Sequence, residues 1–194
     1  MAFYDGVRST AGNFFKILYR IEGINKEAVP KEGGVLVCAN HISLIDPIAL
    51  AVTTERHYHF MGKEELFRNK LVGTFLRNLH AFPVKRGASD REALRMGMKV
   101  IKDGNILGIF PEGTRSKTGD LGQGHAGSGF FALRTDCTVV PAAIIGPYKL
   151  FRKTKVVYGD PIDFTEHRKN KISADEATQM IMDEINRLIL NHKN

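Results

Sequence analysis

The stretch that most constrains this chain is Val35-Leu36-Val37-Cys38-Ala39, followed at once by Asn40-His41-Ile42-Ser43-Leu44-Ile45-Asp46-Pro47. An unbroken apolar run of this length reads as a strand buried on both faces, the pattern of a parallel α/β sheet. Asp46-Pro47 reads as a helix start, with Asp at the N-cap and Pro in the first helical position. His41 then lies at the C-terminal end of a strand, in the turn before a helix, where open α/β sheets hold their ligands. On one continuous helix, His41 and Asp46 would point about 140° apart. Across a strand–turn–helix junction they can meet. A carboxylate on one imidazole nitrogen fixes the tautomer and leaves the other nitrogen free to take a proton. On this stretch alone, a capping Asp and a solvated His remain the commoner reading.

Two further stretches change the balance. Ile106-Leu107-Gly108-Ile109-Phe110 is another buried-strand run, and it leads into Pro111-Glu112-Gly113-Thr114-Arg115-Ser116. Ala81-Phe82-Pro83-Val84 is a third, ending in Lys85-Arg86-Gly87. In a parallel sheet all these turns share one edge. That edge gathers a base, its acid partner and the cations Lys85, Arg86 and Arg115. The combination suits an anionic substrate carrying a hydroxyl that must lose its proton.

Asn40-His41 with Asp46, Pro83-Val84-Lys85-Arg86, the run Phe110 to Ser116, and Val139-Val140-Pro141-Ala142-Ala143 together resemble the motifs of the glycerolipid acyltransferase family, in the family's order. The resemblance spans roughly residues 35–160. It implies transfer of a fatty acyl group from acyl-CoA or acyl carrier protein to the free hydroxyl of lysophosphatidic acid, giving phosphatidic acid for phospholipid biosynthesis. It implies His41 and Asp46 as the catalytic pair, and Lys85, Arg86, Glu112, Gly113, Thr114 and Arg115 as substrate-binding residues. Two roles stay open for Glu112: binding the glycerol hydroxyls, or bracing Arg115. An acyl-Ser intermediate on Ser43 is the weaker alternative to direct transfer. His125 stands where the family usually has Lys. No metal and no cofactor beyond the thioester co-substrate are expected. The rival readings are another glycerolipid acyltransferase, using glycerol-3-phosphate or a transacylation, and a non-catalytic lipid-binding protein.

A chain of 194 residues with 43% apolar and 25% charged residues fits one globular domain with a core of its own. The expected fold is α/β, a single domain with a mostly parallel central sheet flanked by helices. Residues 1–22 are expected as an amphipathic membrane-associating helix and 23–194 as the acyltransferase domain. Phe3, Val7, Ala11, Phe14, Leu18 and Ile21 recur at helical steps, with Arg8, Lys16 and Arg20 off that stripe. Such a helix either packs on its own domain or lies on lipid, and the resemblance favours lipid. The net charge of +7 calls for an anionic partner. No zinc-finger spacing, RNP-like pattern or tandem basic helix points to nucleic acid, and an anionic membrane surface accounts for the cations. No signal peptide and no run of about 18 apolar residues is evident. The expected location is therefore the cytoplasmic face of the cell membrane, as a peripheral protein.

Elsewhere, residues 23–34 read as a linker, Ser89-Asp90-Arg91-Glu92 and Ser173 with Glu176 as capping boxes, and 119–129 as a mobile glycine-rich lid. Pro141 reads as an interruption of the strand over 138–145. His57 and His59 read as strand histidines without a metal, and Cys38 and Cys137 as buried thiols.

Overall fold

Val35–Ala39 forms β2, and every one of its residues is buried. The computed structural model, which describes residues 2–85 and 90–193, places β2 inside a seven-stranded sheet. In chain order the others are β1 (Ile21–Ile24), β3 (Tyr58–Lys63), β4 (Ala81–Val84), β5 (Ile106–Ile109), β6 (Thr138–Ile145) and β7 (Thr154–Tyr158), and the order across the sheet is β1-β7-β6-β2-β5-β3-β4. From β6 to β4 all neighbours are parallel. β7 runs antiparallel to β6, and β1 runs parallel to β7. The expected mostly parallel α/β domain is what forms. His41, Lys85 and the turn after β5 consequently leave the sheet at one edge.

The helices are α1 (Ala2–Val7), α2 (Asn13–Leu18), α3 (Asp46–Thr53), α4 (Glu64–Arg68), α5 (Lys70–Asn78), α6 (Arg91–Lys102), α7 (Gly127–Arg134), α8 (Thr165–Lys169) and α9 (Ala174–His192). They cover both faces of the sheet, and β2 shows why. Leu36 and Cys38 pack with Val100 of α6, Phe131 of α7 and Ile181 of α9. The alternate residues Val35, Val37 and Ala39 pack with Ala49 and Leu50 of α3. Successive strand residues point to opposite faces, so a strand covered twice is apolar throughout. Cys38 and Cys137 are buried free thiols, as expected, and burial pushes the pKa of both up, keeping them protonated.

Several local expectations are corrected. The N-terminal helix forms over residues 2–18, but a π-helical turn, Arg8–Gly12, lies within it between α1 and α2, and Ile21 belongs to β1. The inward residues are Tyr4 and Gly12, while Phe3, Ala11, Phe14 and Ile17 are exposed. Gly12 is needed there, because a Cβ would come within 2.8 Å of Val52 Cγ1 on α3. Arg8 anchors the segment by donating from Nη1 to Glu55 O at 2.8 Å and from Nη2 to Thr54 O, just past the C-terminus of α3. Residues 23–34 are not a plain linker, since they finish β1 and hold a 3-10 turn, Lys26–Ala28. Pro141 does not interrupt β6. Pro141 sits just before the β7 ladder, which begins at Ala142; it lacks an N–H to donate there, but Pro141 O still accepts from Gly159 N–H at 2.8 Å. Asp90, not Ser89, caps α6, accepting the N–H groups of Glu92 and Ala93, and Ser89 lies outside the described residues. The capping box of Ser173 and Glu176 forms as expected.

Candidate active site

The site is assembled from the exits of β2 and β5. Past Ala39, the Asn40 side chain adds one more rung to the sheet: Nδ2 donates to Ile144 O at 2.9 Å and Oδ1 accepts Ile144 N–H at 2.7 Å. This holds the strand end while the chain turns. The backbone of His41 is then gripped from the β5 side. Its N–H donates to Glu112 Oε1 at 2.8 Å, and its carbonyl accepts Ser116 N–H at 2.8 Å. The imidazole stacks on Phe110 with ring centres 4.1 Å apart.

His41 Nδ1 lies 2.7 Å from Asp46 Oδ2. Asp46 is fully buried, and the same oxygen accepts the N–H groups of Ile42 at 2.6 Å and Ser43 at 2.7 Å. The expected forward cap is thus corrected. Asp46 is the first residue of α3, Ile45 occupies the N-cap position, and the carboxylate reaches back into the turn. The turn returns its donors to that oxygen because its N–H groups have no ladder partner. An ionised carboxylate only accepts, so the hydrogen sits on Nδ1 and the lone pair on Nε2. Ser43 Oγ accepts Ile45 N–H at 3.2 Å, inside the same turn.

His41 opens on a groove of about 740 Å³ whose apolar lining includes Met61, Val84, Leu94 and Phe130, and whose basic side chains among the described residues are His41, Lys63 and His125. Gly113 lines it as well, in a left-handed conformation (φ +63°); a Cβ there would lie 3.0 Å from the His125 ring. Arg115 is exposed, makes no hydrogen bond or ion pair among the described residues, and neighbours the Ser116 that holds His41. Thr114 is exposed beside it. Lys85 follows β4; its N–H donates to Asp90 Oδ2 at 2.9 Å and its side chain is exposed, outside the groove lining. Arg86 lies outside the described residues. Glu112 is buried; beyond His41 N–H it accepts Gly122 N–H at 2.8 Å, so its carboxylate touches neither the groove nor Arg115. The glycine-rich segment expected as a lid is tied down at Gly122, by His125 N–H to Pro111 O at 2.9 Å, and by Thr178 Oγ1 to His125 O at 3.2 Å.

The Acyltransferase family model matches residues 20–145, which include both members of the dyad and the turn after β5. The chain is 35% identical over 160 residues to the 1-acyl-sn-glycerol-3-phosphate acyltransferase of Bacillus subtilis (strain 168), covering 77% of this chain and 79% of that protein. This chain belongs to the Acyltransferase family. The protein of the same name from Borreliella burgdorferi is 27% identical over 169 residues, covering 82% of this chain and 67% of that one. Among solved structures, the 1-acyl-sn-glycerophosphate (LPA) acyltransferase PlsC of Thermotoga maritima superposes with a TM-score of 0.72 at 24% identity, over 97% of this chain and 82% of that one. That likeness speaks to the fold.

In this acyltransferase the structure also brings in residues that sequence reasoning missed. Lys63 ends β3 at the same sheet edge and lines the groove; a cation at a strand's C-terminal end was the signal for it, as it was for Lys85. Tyr148, at the start of the β6–β7 loop, has its buried hydroxyl beside Asp46. Burial first, then the nearby Asp46 charge, push its pKa well up and keep the hydroxyl protonated. Neither the Tyr148 hydroxyl nor Asp46 Oδ1 has a partner of standard hydrogen-bond geometry among the described residues, so the two are close without being closed into a bond. No local pattern marks Tyr148.

Proposed function

We propose that the chain transfers a fatty acyl group from a thioester, carried by coenzyme A or acyl carrier protein, to the free hydroxyl of 1-acyl-glycerol-3-phosphate, producing phosphatidic acid. The observation that carries this is the 2.7 Å contact of His41 Nδ1 with a buried Asp46 at the mouth of an apolar groove. A binding protein needs no oriented imidazole. His41 Nε2 takes the hydroxyl proton as the oxygen attacks the thioester carbonyl. Asp46 stabilises the imidazolium. As the tetrahedral species collapses, the C–S bond breaks and the imidazolium returns the proton to the thiolate. The products are the new ester and a free thiol, and no side chain is acylated. The engagement of Ser43 Oγ in its own turn favours this direct route. Arg115, with its guanidinium uncommitted, binds the acceptor phosphate, and a forked cation suits that group. Lys85 and Arg86 assist as further cations, and Gly113 and Thr114 belong to the turn that carries Arg115. Glu112 acts by holding His41 in place.

No helix among the described residues is long and apolar enough to cross a membrane. The exposed Phe3, Phe14 and Ile17 support attachment of the N-terminal segment to the cytoplasmic membrane surface. The deciding assay is thiol release from a long-chain acyl thioester with and without 1-acyl-glycerol-3-phosphate. Acceptor-dependent release is expected. His41→Ala should lower kcat by about 10²–10⁴-fold with the fold intact, and a His41→Ala protein of normal turnover removes the base. Arg115→Ala should raise KM for the phosphorylated acceptor while leaving that for the thioester within about twofold. Equal rises would count against the phosphate contact.

A further inference from the structure

The β6–β7 connection, residues 146–153, takes no part in the chemistry above, yet it leaves the sheet at the same edge as His41, because β6 runs parallel to β2. Its tip carries Leu150 and Phe151, which are 59% and 67% exposed. Phe151 adopts a left-handed backbone, φ +60°, which L side chains rarely take. No core packing by its side chain compensates for that conformation. Exposed Lys149 and Arg152 flank the tip and make no ion pair among the described residues.

The loop is sewn to the end of the N-terminal helical segment. Phe151 N–H donates to Leu18 O at 2.8 Å, Thr154 N–H donates to Tyr19 O at 3.2 Å, and Tyr148 meets Tyr19 edge-to-face at 5.7 Å. On that segment Phe14 and Ile17 are 61% and 73% exposed, with Lys16 and Arg20 exposed between and beyond them. Large apolar side chains, ringed by cations that make no ion pair among the described residues, therefore stand together on two stitched segments. Tyr148, whose buried hydroxyl lies near Asp46, is only three residues before Phe151, so the tip is within about 10 Å of chain from Tyr148.

We propose that the β6–β7 loop is a second membrane-insertion point: Leu150 and Phe151 enter the interface of an anionic phospholipid bilayer beside Phe14 and Ile17, and Lys149 and Arg152 hold its headgroups. A bilayer of anionic lipid satisfies both the apolar tip and its cations. A second copy of this chain would bring the same positive charge against itself. The proposal rests on the lipid acceptor of the proposed function and extends it. Insertion at the sheet edge that holds His41 sets the groove against the bilayer where the acceptor resides.

The test compares the full chain with Leu150→Ser/Phe151→Ser and, separately, Lys149→Gln/Arg152→Gln, by sedimentation with phosphatidylcholine vesicles containing or lacking phosphatidylglycerol. The apolar pair should lower partition at least about tenfold. The charge pair should lower it only on vesicles with phosphatidylglycerol, and less so in high salt. Turnover on short-chain, monomeric acceptor and thioester should stay within about twofold for both, since neither pair touches the groove. Partition unchanged in the apolar pair overturns the proposal. So does a wild-type dimer that the apolar pair abolishes while vesicle binding persists. If the wild type binds vesicles through this tip yet turns over no soluble acceptor, the insertion stands and acyl transfer is the reading that fails.

Discussion

At the scale of single residues, Glu112 separates holding a catalyst from touching a substrate. Its carboxylate is buried and accepts His41 N–H and Gly122 N–H, joining the base to the glycine-rich segment. Glu112→Gln replaces one acceptor oxygen with a donor, so one of those buried N–H groups loses its partner, at a cost of about 1–3 kcal/mol. The expected result is a lower thermal midpoint and a reduced kcat, with KM for the acceptor nearly unchanged. Steady-state kinetics on both substrates checks this; a large KM rise with kcat preserved would mean the carboxylate contacts the acceptor. The dyad was legible because its members sit within one strand–turn–helix that five apolar residues announce. The partners of Glu112 were not, because backbone N–H groups belong to every residue type and one of them lies 71 positions away.

At the scale of elements, the limit of sequence patterns is plainest in the N-terminal segment. A stripe at steps of three and four assumes one helical period throughout. The π-helical turn over Arg8–Gly12 adds residues per turn and rotates α2 relative to α1, so Tyr4 and Gly12 face inward and Phe14 outward. β1 went unread because it is a four-residue edge strand with a glycine inside it, too short for alternation to register. β2, β5 and β6 were readable because a strand buried on both faces needs no periodicity, only apolar length. Helix contacts depend on close approach, which composition hides. Gly129 on α7 faces α9 so tightly that a Cβ would fall 1.9 Å from Ala174 O and 2.9 Å from Thr178 N, both backbone atoms. Gly129→Ala must push α9 away from α7. The expected loss is about 1–3 kcal/mol or more, read as a lower urea midpoint with an unchanged slope. A midpoint equal to wild type would mean that the crossing of the two helices yields without cost.

For the whole molecule, three histidines tie the N-terminal segment to the far end of the sheet, and two of them, His59 and His80, bear on how the fold answers to acid. His57 Nε2 lies 2.6 Å from Asp5 Oδ1, Tyr4 packs against His57 at 4.4 Å and stacks on His80 at 4.8 Å, and His80 stacks on His59 at 4.7 Å. Burial, reinforced by the neighbouring His80 and His57, holds His59 down at about 4, and burial and His57 lower His80 as well. Both rings are therefore neutral in the fold at a pH where the unfolded chain, with ordinary imidazoles near 6.5, already binds protons. The unfolded state then holds more protons than the native one, so stability falls as pH falls. For His59 the loss begins as pH drops below about 6.5 and is complete near 4. Carboxylates held low, such as Asp90 by the N–H groups of Lys85, Ala93 and Glu92, and Glu176 by Ser173, lose their contribution only as pH falls below their ordinary range, so they do not mask the histidine window. Urea midpoints measured between pH 7.5 and 4.5 should decline steadily, by an amount matching uptake of about one to two protons on unfolding. His59→Asn should flatten that decline, because the substituted side chain has no proton to gain. A variant whose midpoints fall as steeply as those of the wild type would show that the acid sensitivity arises elsewhere than in this stacked cluster.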